Sequence, residues 1–255
     1  MSLLVEHASG LLTLTFSEPA KRNPLTPEIA DALAKEIREA EASDLVRAVL
    51  ILGSGGNFSS GGDLRAMPPA DTIAAADRLR RYAALITTMA KSTLPMVCAL
   101  EGTTAGIALG VATACDVIVA DEQARLLFPF SRLGLFPDGG LIHGLASRVG
   151  PGRAKALLLV GDPVTAQRAY DMGLVDRLAP PGSAVALASD IARDLALRAP
   201  LSVGSIKSAF SDGVNALAPT LETERITQSR LYFSEDFTEG RAAFFDKRQA
   251  AFTGR

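Results

Sequence analysis

Twice within the first 115 residues a short apolar run gives way to a glycine-bearing turn and then to a helical pattern. Ala48 to Leu52 reads as a buried strand and is followed by Asn57-Phe58-Ser59-Ser60-Gly61-Gly62-Asp63-Leu64. Pro95 to Leu100 reads as another and is followed by Glu101-Gly102-Thr103-Thr104-Ala105-Gly106-Ile107-Ala108-Leu109-Gly110, which enters a small-residue helix. Strand, turn and helix in that order make an α/β chain. Glycine has no Cβ to keep a ligand away from a backbone N–H, and the first amides of a helix carry partial positive charge. Each turn therefore offers N–H groups to an electron-rich oxygen. Small residues here equally serve close helix–sheet packing, so the pattern by itself leaves both readings open.

The rest of the chain fits around these two units. Leu3 to Glu6 and Leu11 to Phe16 read as strands joined by a turn at Ser9-Gly10. Thr26 is a good helix N-cap, Pro27 suits the first helical position, and Ile29, Leu33 and Ile37 recur at four-residue spacing. After Met67-Pro68-Pro69 a helical pattern runs from about Thr72 to Ala90, with Arg78, Arg80 and Arg81 read as a solvated face. Cys115-Asp116 leads into a strand, Val117 to Ala120. A broken segment, Phe128 to Gly140, carries one carboxylate, Asp138, in apolar surroundings. Helices then follow from Leu141, with breaks at Gly150-Pro151 and Met172-Gly173, a cap at Thr165 and a brief extended piece at Leu174-Val175. The remainder reads as helices over about Ala184 to Arg198, Ser202 to Ser211, Ala216 to Phe233 and Thr238 to Phe252. The change to an all-helical pattern places a boundary near residue 195, giving a mixed core, 1–195, and a helical region, 196–255.

Composition excludes several functions. The formal charge of −2 lacks the basic stripe of a nucleic-acid binder. No apolar run reaches membrane-spanning length, and Met1-Ser2-Leu3 lacks the basic start of a signal peptide. Cys98 and Cys115 lie in apolar stretches and read as buried thiols, so a cytoplasmic location fits. With His7 and His143 the only histidines and no Cys-x-x-Cys, no metal site is expected. The spacing of Gly56 and Gly61 matches a phosphate loop, but Gly62-Asp63 follows where Lys-Ser/Thr is required. Dinucleotide and nucleophile-elbow motifs are also missing.

Two amide-presenting turns and one unusual aspartate remain. Two N–H donors can polarise a carbonyl while a carboxylate moves a proton at the neighbouring carbon, which is the equipment for stabilising an enolate. At this point the chain resembles the crotonase, or enoyl-CoA hydratase/isomerase, superfamily along nearly its whole length. The resemblance rests on an ordered set: Pro19-Ala20-Lys21-Arg22-Asn23-Pro24-Leu25, Phe58 to Leu64, Cys115-Asp116, Ala166 to Val175, and Glu239-Gly240 through Phe244-Phe245-Asp246-Lys247-Arg248.

The resemblance implies a crotonase fold, a spiral of ββα units with a helical C-terminal region that builds homotrimers or hexamers. It implies a substrate, an acyl-CoA thioester, with coenzyme A arriving as part of it and no separate cofactor. The thioester oxygen would be held by the N–H groups of Gly62 and Ile107; Ile107 stands where glycine is usual, and its side chain is expected to narrow the pocket. Lys21, Arg22, Asp63, Leu64 and Arg65 would lie near the CoA moiety, and Phe244 and Lys247 would reach the CoA of a neighbouring subunit. The two glutamates that hold water in hydratases of the family fall at Gly110 and Phe130 here, whereas Asp138 falls where its isomerases carry an aspartate. Phe130 to Leu135 is similar to the ring-epoxide isomerase type. The expected activity is therefore acyl-CoA isomerisation with Asp138 as proton shuttle, its pKa raised by Phe130 and Phe136. An enoyl-CoA hydratase and a non-catalytic acyl-CoA-binding protein are the alternatives.

Overall fold

The computed structural model describes residues 3–67, 70–211 and 217–255. The expected helix start at Ala216 and the break at Pro68-Pro69 lie outside the described residues. The chain opens with a hairpin, β1 (Leu3–Ala8) and β2 (Leu11–Phe16), whose two turn residues, Ser9 and Gly10, both have positive φ (51° and 80°). That is the backbone twist a two-residue hairpin needs. Helix α1 (Pro27–Glu41) starts where the side chain of Thr26 accepts a hydrogen bond from the Ile29 N–H, and its Ile29, Leu33 and Ile37 face the core.

From there the chain spirals. Strand β3 (Ala48–Gly53) leads through the first glycine turn to α2 (Thr72–Lys91). Strand β4 (Met96–Leu100) leads through a short β5 (Thr103–Ala105) to α3 (Ile107–Ala114), and β6 (Val117–Asp121) through β7 (Arg125–Leu127) towards α4 (Leu141–Val149). Next come α5 (Pro151–Val160), β8 (Val164–Thr165), α6 (Ala166–Asp171), β9 (Arg177–Ala179) and α7 (Ala184–Ala196). Each turn of the spiral lays one strand in a six-stranded sheet, β1-β2-β3-β4-β6-β9, parallel from β2 onward. The short strands build a second sheet, β5-β7-β8. The strands β5, β7 and β8 were not visible as apolar runs, because strands of two or three residues carry too little alternation to read. Leu174 and Val175 are buried loop residues rather than a strand; the extended piece begins two residues later, at Arg177.

The central strands β3, β4 and β6 are buried on both faces, as parallel strands are, whereas the edge strand β1 is largely exposed. Side chains alternate along each strand. Val49 and Ile51 point into the main core, whereas Ala48 and Leu50 point to the other face, against Ala184, Ala188 and Ala192 of α7. Those alanines recur every four residues, so they form one stripe on which the helix lies close to the sheet. Cys98 and Cys115 are buried free thiols, and burial pushes the Cys98 pKa up.

The C-terminal region holds α8 (Pro200–Phe210), α9 (Leu217–Leu231) and α10 (Glu235–Asp246). The last helix is shorter than its sequence pattern promised, because Lys247 takes a left-handed conformation (φ 54°) and closes it. Asp236 accepts hydrogen bonds from the Thr253 and Gly254 N–H groups, and the Thr253 carbonyl accepts one from Arg47, next to the start of β3.

Candidate active site

The first glycine turn is held from two sides. Asn23 is 1% exposed and left-handed (φ 55°); its Nδ2 donates to the carbonyls of Ser54 and Asn57, both at 2.8 Å, and its Oδ1 accepts from the Glu18 N–H. A short amide side chain tolerates that conformation and supplies both the donors and the acceptor that the neighbouring backbone needs. Leu25 N–H donates to the Gly61 carbonyl (2.8 Å), and the Leu25 carbonyl accepts from the Tyr82 hydroxyl (2.9 Å). Helix α2 is thereby tied to the turn.

The two turns are also bonded to each other. The Ser59 N–H donates to the Thr103 carbonyl, and the Ala105 N–H to the Ser59 carbonyl, so Ser59 pairs with Thr104 in parallel register. Gly62 and Ile107 each lie three residues beyond that pair, which brings the ends of the turns together. Gly61 has to be glycine: it has φ +82°, and a Cβ there would lie 2.5 Å from the Ala105 carbonyl oxygen. Among the described residues, neither the Gly62 nor the Ile107 N–H donates a hydrogen bond. Helix α3 begins at Ile107 without a side-chain cap, so its positive end is open. After Gly62 comes a single 3-10 turn, Leu64–Ala66, capped by the Asp63 carboxylate on the Arg65 N–H.

Asp138 reaches this place because of two glycines. A Cβ on Gly110 would lie 2.1 Å from the Gly139 carbonyl oxygen, so the Asp138–Gly139 segment rests directly on α3. A glutamate at position 110 would displace it. A Cβ on Gly139 would in turn lie 2.5 Å from Ile107 Cγ1. The Ile107 side chain, 3% exposed, packs beneath the Asp138 loop. Asp138 Oδ1 is enclosed and has no hydrogen-bond partner. Burial raises the Asp138 pKa above the usual aspartate range, its own backbone N–H and the charge of Arg78 pulling the other way. Phe130 is buried, but Phe136 is 79% exposed and forms no wall of the site; the glycine- and proline-broken loop turns it outward.

Helix α2 supplies what the sequence reading missed. Arg78, assigned there to a solvated face, has an enclosed Nη2 with no hydrogen-bond partner, and its guanidinium lies 5.4 Å from the Tyr82 ring centroid. Four-residue spacing on a helix puts Arg78 and Tyr82 on one face, which was the available signal. Tyr82 is buried and its pKa is pushed up to about 12, chiefly by burial. Met67 also lies over the first turn, its Cε 2.8 Å from where a Gly62 Cβ would stand.

The remaining site residues are dispersed. Lys21 and Arg22 are brought beside the first turn, since the Ser60 N–H and hydroxyl donate to the Arg22 and Lys21 carbonyls. Lys21 pairs with Glu18 at 2.5 Å and feels the charges of Asp63 and Arg65. Leu64 and Arg65 are exposed at the same edge. Phe244 is 78% exposed and lines a groove with Ala199 and Leu201, near the start of β3; the site follows the end of that strand. Lys247 caps α10 on the same region. His143 is exposed on α4. Among the described residues there is no group of three or more His, Cys, Asp or Glu able to hold a metal, and no helix is long and apolar enough to cross a membrane.

A spiral of ββα units with two open amides beside an enclosed carboxyl defines a crotonase-fold chain. The solved structure of an enoyl-CoA hydratase from Polaromonas sp. JS666 superposes with a TM-score of 0.92 at 33% identity, covering 98% of this chain and 99% of that one. The sequence signature described as Enoyl-CoA hydratase/isomerase matches residues 6–255, and the chain belongs to that family. It is 32% identical over 261 residues, 100% of each chain, to the 1,2-epoxyphenylacetyl-CoA isomerase of Escherichia coli (strain K12). It is also 32% identical over 254 residues, 99% of each, to the 2,3-dehydroadipyl-CoA hydratase of the same organism.

Proposed function

We propose that this family member is an acyl-CoA isomerase that shifts a double bond or ring epoxide next to the thioester. The observation that carries the reading is the Asp138 carboxyl, enclosed and unpartnered at Oδ1, on a loop that only glycine at position 110 admits. The N–H groups of Gly62 and Ile107 receive the thioester oxygen. The Asp138 carboxylate removes a proton from the carbon next to the carbonyl, and the electron pair delocalises onto the oxygen between the two amides. The protonated Asp138 then returns the hydrogen to the far carbon of the allyl system, so a 3-enoyl ester becomes the conjugated 2-enoyl ester. A single carboxylate with a raised pKa serves both half-steps. Hydration calls instead for a second carboxyl to share a water, and Gly110 and Phe130 supply none. The Lys21, Arg22, Asp63, Leu64 and Arg65 edge fits the CoA moiety. Exposed Phe233, in the turn after α9, and Phe244 and Phe245, on α10, support self-association, as trimers or hexamers.

The experiment is an absorbance assay on 3-hexenoyl-CoA and crotonyl-CoA. An isomerase produces conjugated absorbance from the first, and Asp138→Asn slows it by about 10²-fold or more. Loss of absorbance from crotonyl-CoA would identify a hydratase. Binding of both esters without turnover of either would leave only a carrier.

A further inference from the structure

Arg78 carries no proton in the shuttle described above, yet it occupies the same space. Its Nη2 lies 3.3 Å from the point where a Cβ on Gly62 would stand. That point is about 2.5 Å from the Gly62 nitrogen by covalent geometry, so Nη2 is within about 6 Å of the amide. The platform beneath it is fixed, because Tyr82 packs under the guanidinium and its hydroxyl is held by the Leu25 carbonyl. Nη2 and Asp138 Oδ1 are both enclosed without a partner, and the Arg78 charge acts on Asp138.

An enclosed cationic donor without an acceptor is unfavourable, and a folded chain retains one where a ligand completes it. The thioester oxygen is a poor candidate. It has two lone pairs, and the Gly62 and Ile107 amides take both in the reading given above. A hydrocarbon acyl chain offers no acceptor and would bury the guanidinium against carbon. We propose that Arg78 binds an oxygen carried on the first few carbons of the acyl group, so that the preferred substrates are oxygen-bearing acyl-CoA thioesters. This inference rests on the CoA-thioester reading of the site. It makes Arg78 the specificity-determining residue and leaves proton transfer to Asp138.

The test is calorimetric titration of the wild-type protein, Arg78→Met and Arg78→Lys with four esters. Butyryl-CoA is the hydrocarbon reference; acetoacetyl-CoA, 3-hydroxybutyryl-CoA and glutaryl-CoA offer a keto, a hydroxyl and a carboxylate oxygen. At least one of the three should bind wild type about tenfold or more tightly than butyryl-CoA, the size of one charge-assisted hydrogen bond. The favoured ester identifies the kind of oxygen. Arg78→Met should reduce the preference to less than about twofold, while Arg78→Lys, which keeps the charge but loses the planar fork, should keep part of it. Equal binding of all four by wild type, or a preference that survives Arg78→Met, overturns the inference and leaves the CoA-ester reading intact. No binding of any ester by wild type overturns that reading and the inference with it.

Discussion

The second glycine turn is built into the core, whereas the first is held from outside. Ile107 begins an eight-residue helix, and six of its residues, Ile107 to Ala112, are buried. Its amide is positioned by packing, and the same packing carries the Asp138 loop through Gly110 and Gly139. Gly62 is followed only by a 3-10 turn with no buried residues. It is positioned by hydrogen bonds from distant segments: Asn23 to the loop behind it, Leu25 to Gly61, and Tyr82 to Leu25. One half of the site is therefore rigid for local reasons, and the other half depends on the correct docking of α1 and α2.

Gly110→Ala breaks the rigid half. The new methyl would sit 2.1 Å from the Gly139 carbonyl oxygen, so the Asp138 loop must move. A displacement near 1 Å at a reacting group costs about 10²-fold in rate, which is the expected loss of 3-enoyl-CoA isomerisation. Overpacking adds roughly 1–3 kcal/mol of destabilisation, measurable by urea unfolding. A Gly110→Ala protein with full activity would show that the loop is not tied to α3, and the contrast between the turns would collapse.

Asn23→Ala tests the other half. It leaves the Ser54 and Asn57 carbonyls and the Glu18 N–H without their partner and puts a Cβ-bearing residue with no local hydrogen bond in a left-handed conformation. The expected loss is roughly 2–4 kcal/mol. Asn23→Gly loses the same bonds without the steric penalty and should recover about 1 kcal/mol of it. Equal stabilities for the two variants would mean that φ at this position is not what holds the turn.

This contrast also explains how much was legible in advance. Strands β1 to β4 and β6, the caps at Thr26 and Thr165 and both glycine turns are local signals, and each is where its residues placed it. The juxtaposition of Gly62 with Ile107 comes from the Ser59–Thr104 pairing, which links residues 45 apart and leaves no local mark. Of the three arginines read as a solvated face, only Arg80 is outward, pairing with Asp77, while Arg81 is partly buried and bridges to Glu28 and Asp31 of α1. Only the docking of α2 on Leu25 separates Arg78 from them. Phe136 failed in the opposite sense: an aromatic residue beside Asp138 in sequence is turned away by the loop.

The smallest effect is the most discriminating, because it follows the Asp138 proton directly. Burial raises the Asp138 pKa in the folded chain, so the unfolded carboxyl ionises at lower pH. Between the two values the native state holds the extra proton, and stability falls as pH rises. Above the folded value that loss is complete. Asp138→Asn removes the titration, so it should be more stable than wild type at neutral pH, with the gain shrinking as pH falls towards the unfolded value. In the mechanism proposed above the ionised form is the base, so the acid limb of kcat/KM should lie above the usual aspartate range. Arg78 and Tyr82, both on α2, are the charged and titratable groups that face Asp138. Arg78 is the cation that opposes the rise, so Arg78→Met should carry the acid limb to still higher pH. Its Nη2 and Asp138 Oδ1 are not in hydrogen-bond contact, so the displacement should be smaller than loss of a direct ion pair would give. Tyr82→Phe leaves that charge in place but frees its platform; a limb that moves as far as in Arg78→Met would show that the docking of α2, not the guanidinium charge alone, sets the proton affinity of Asp138.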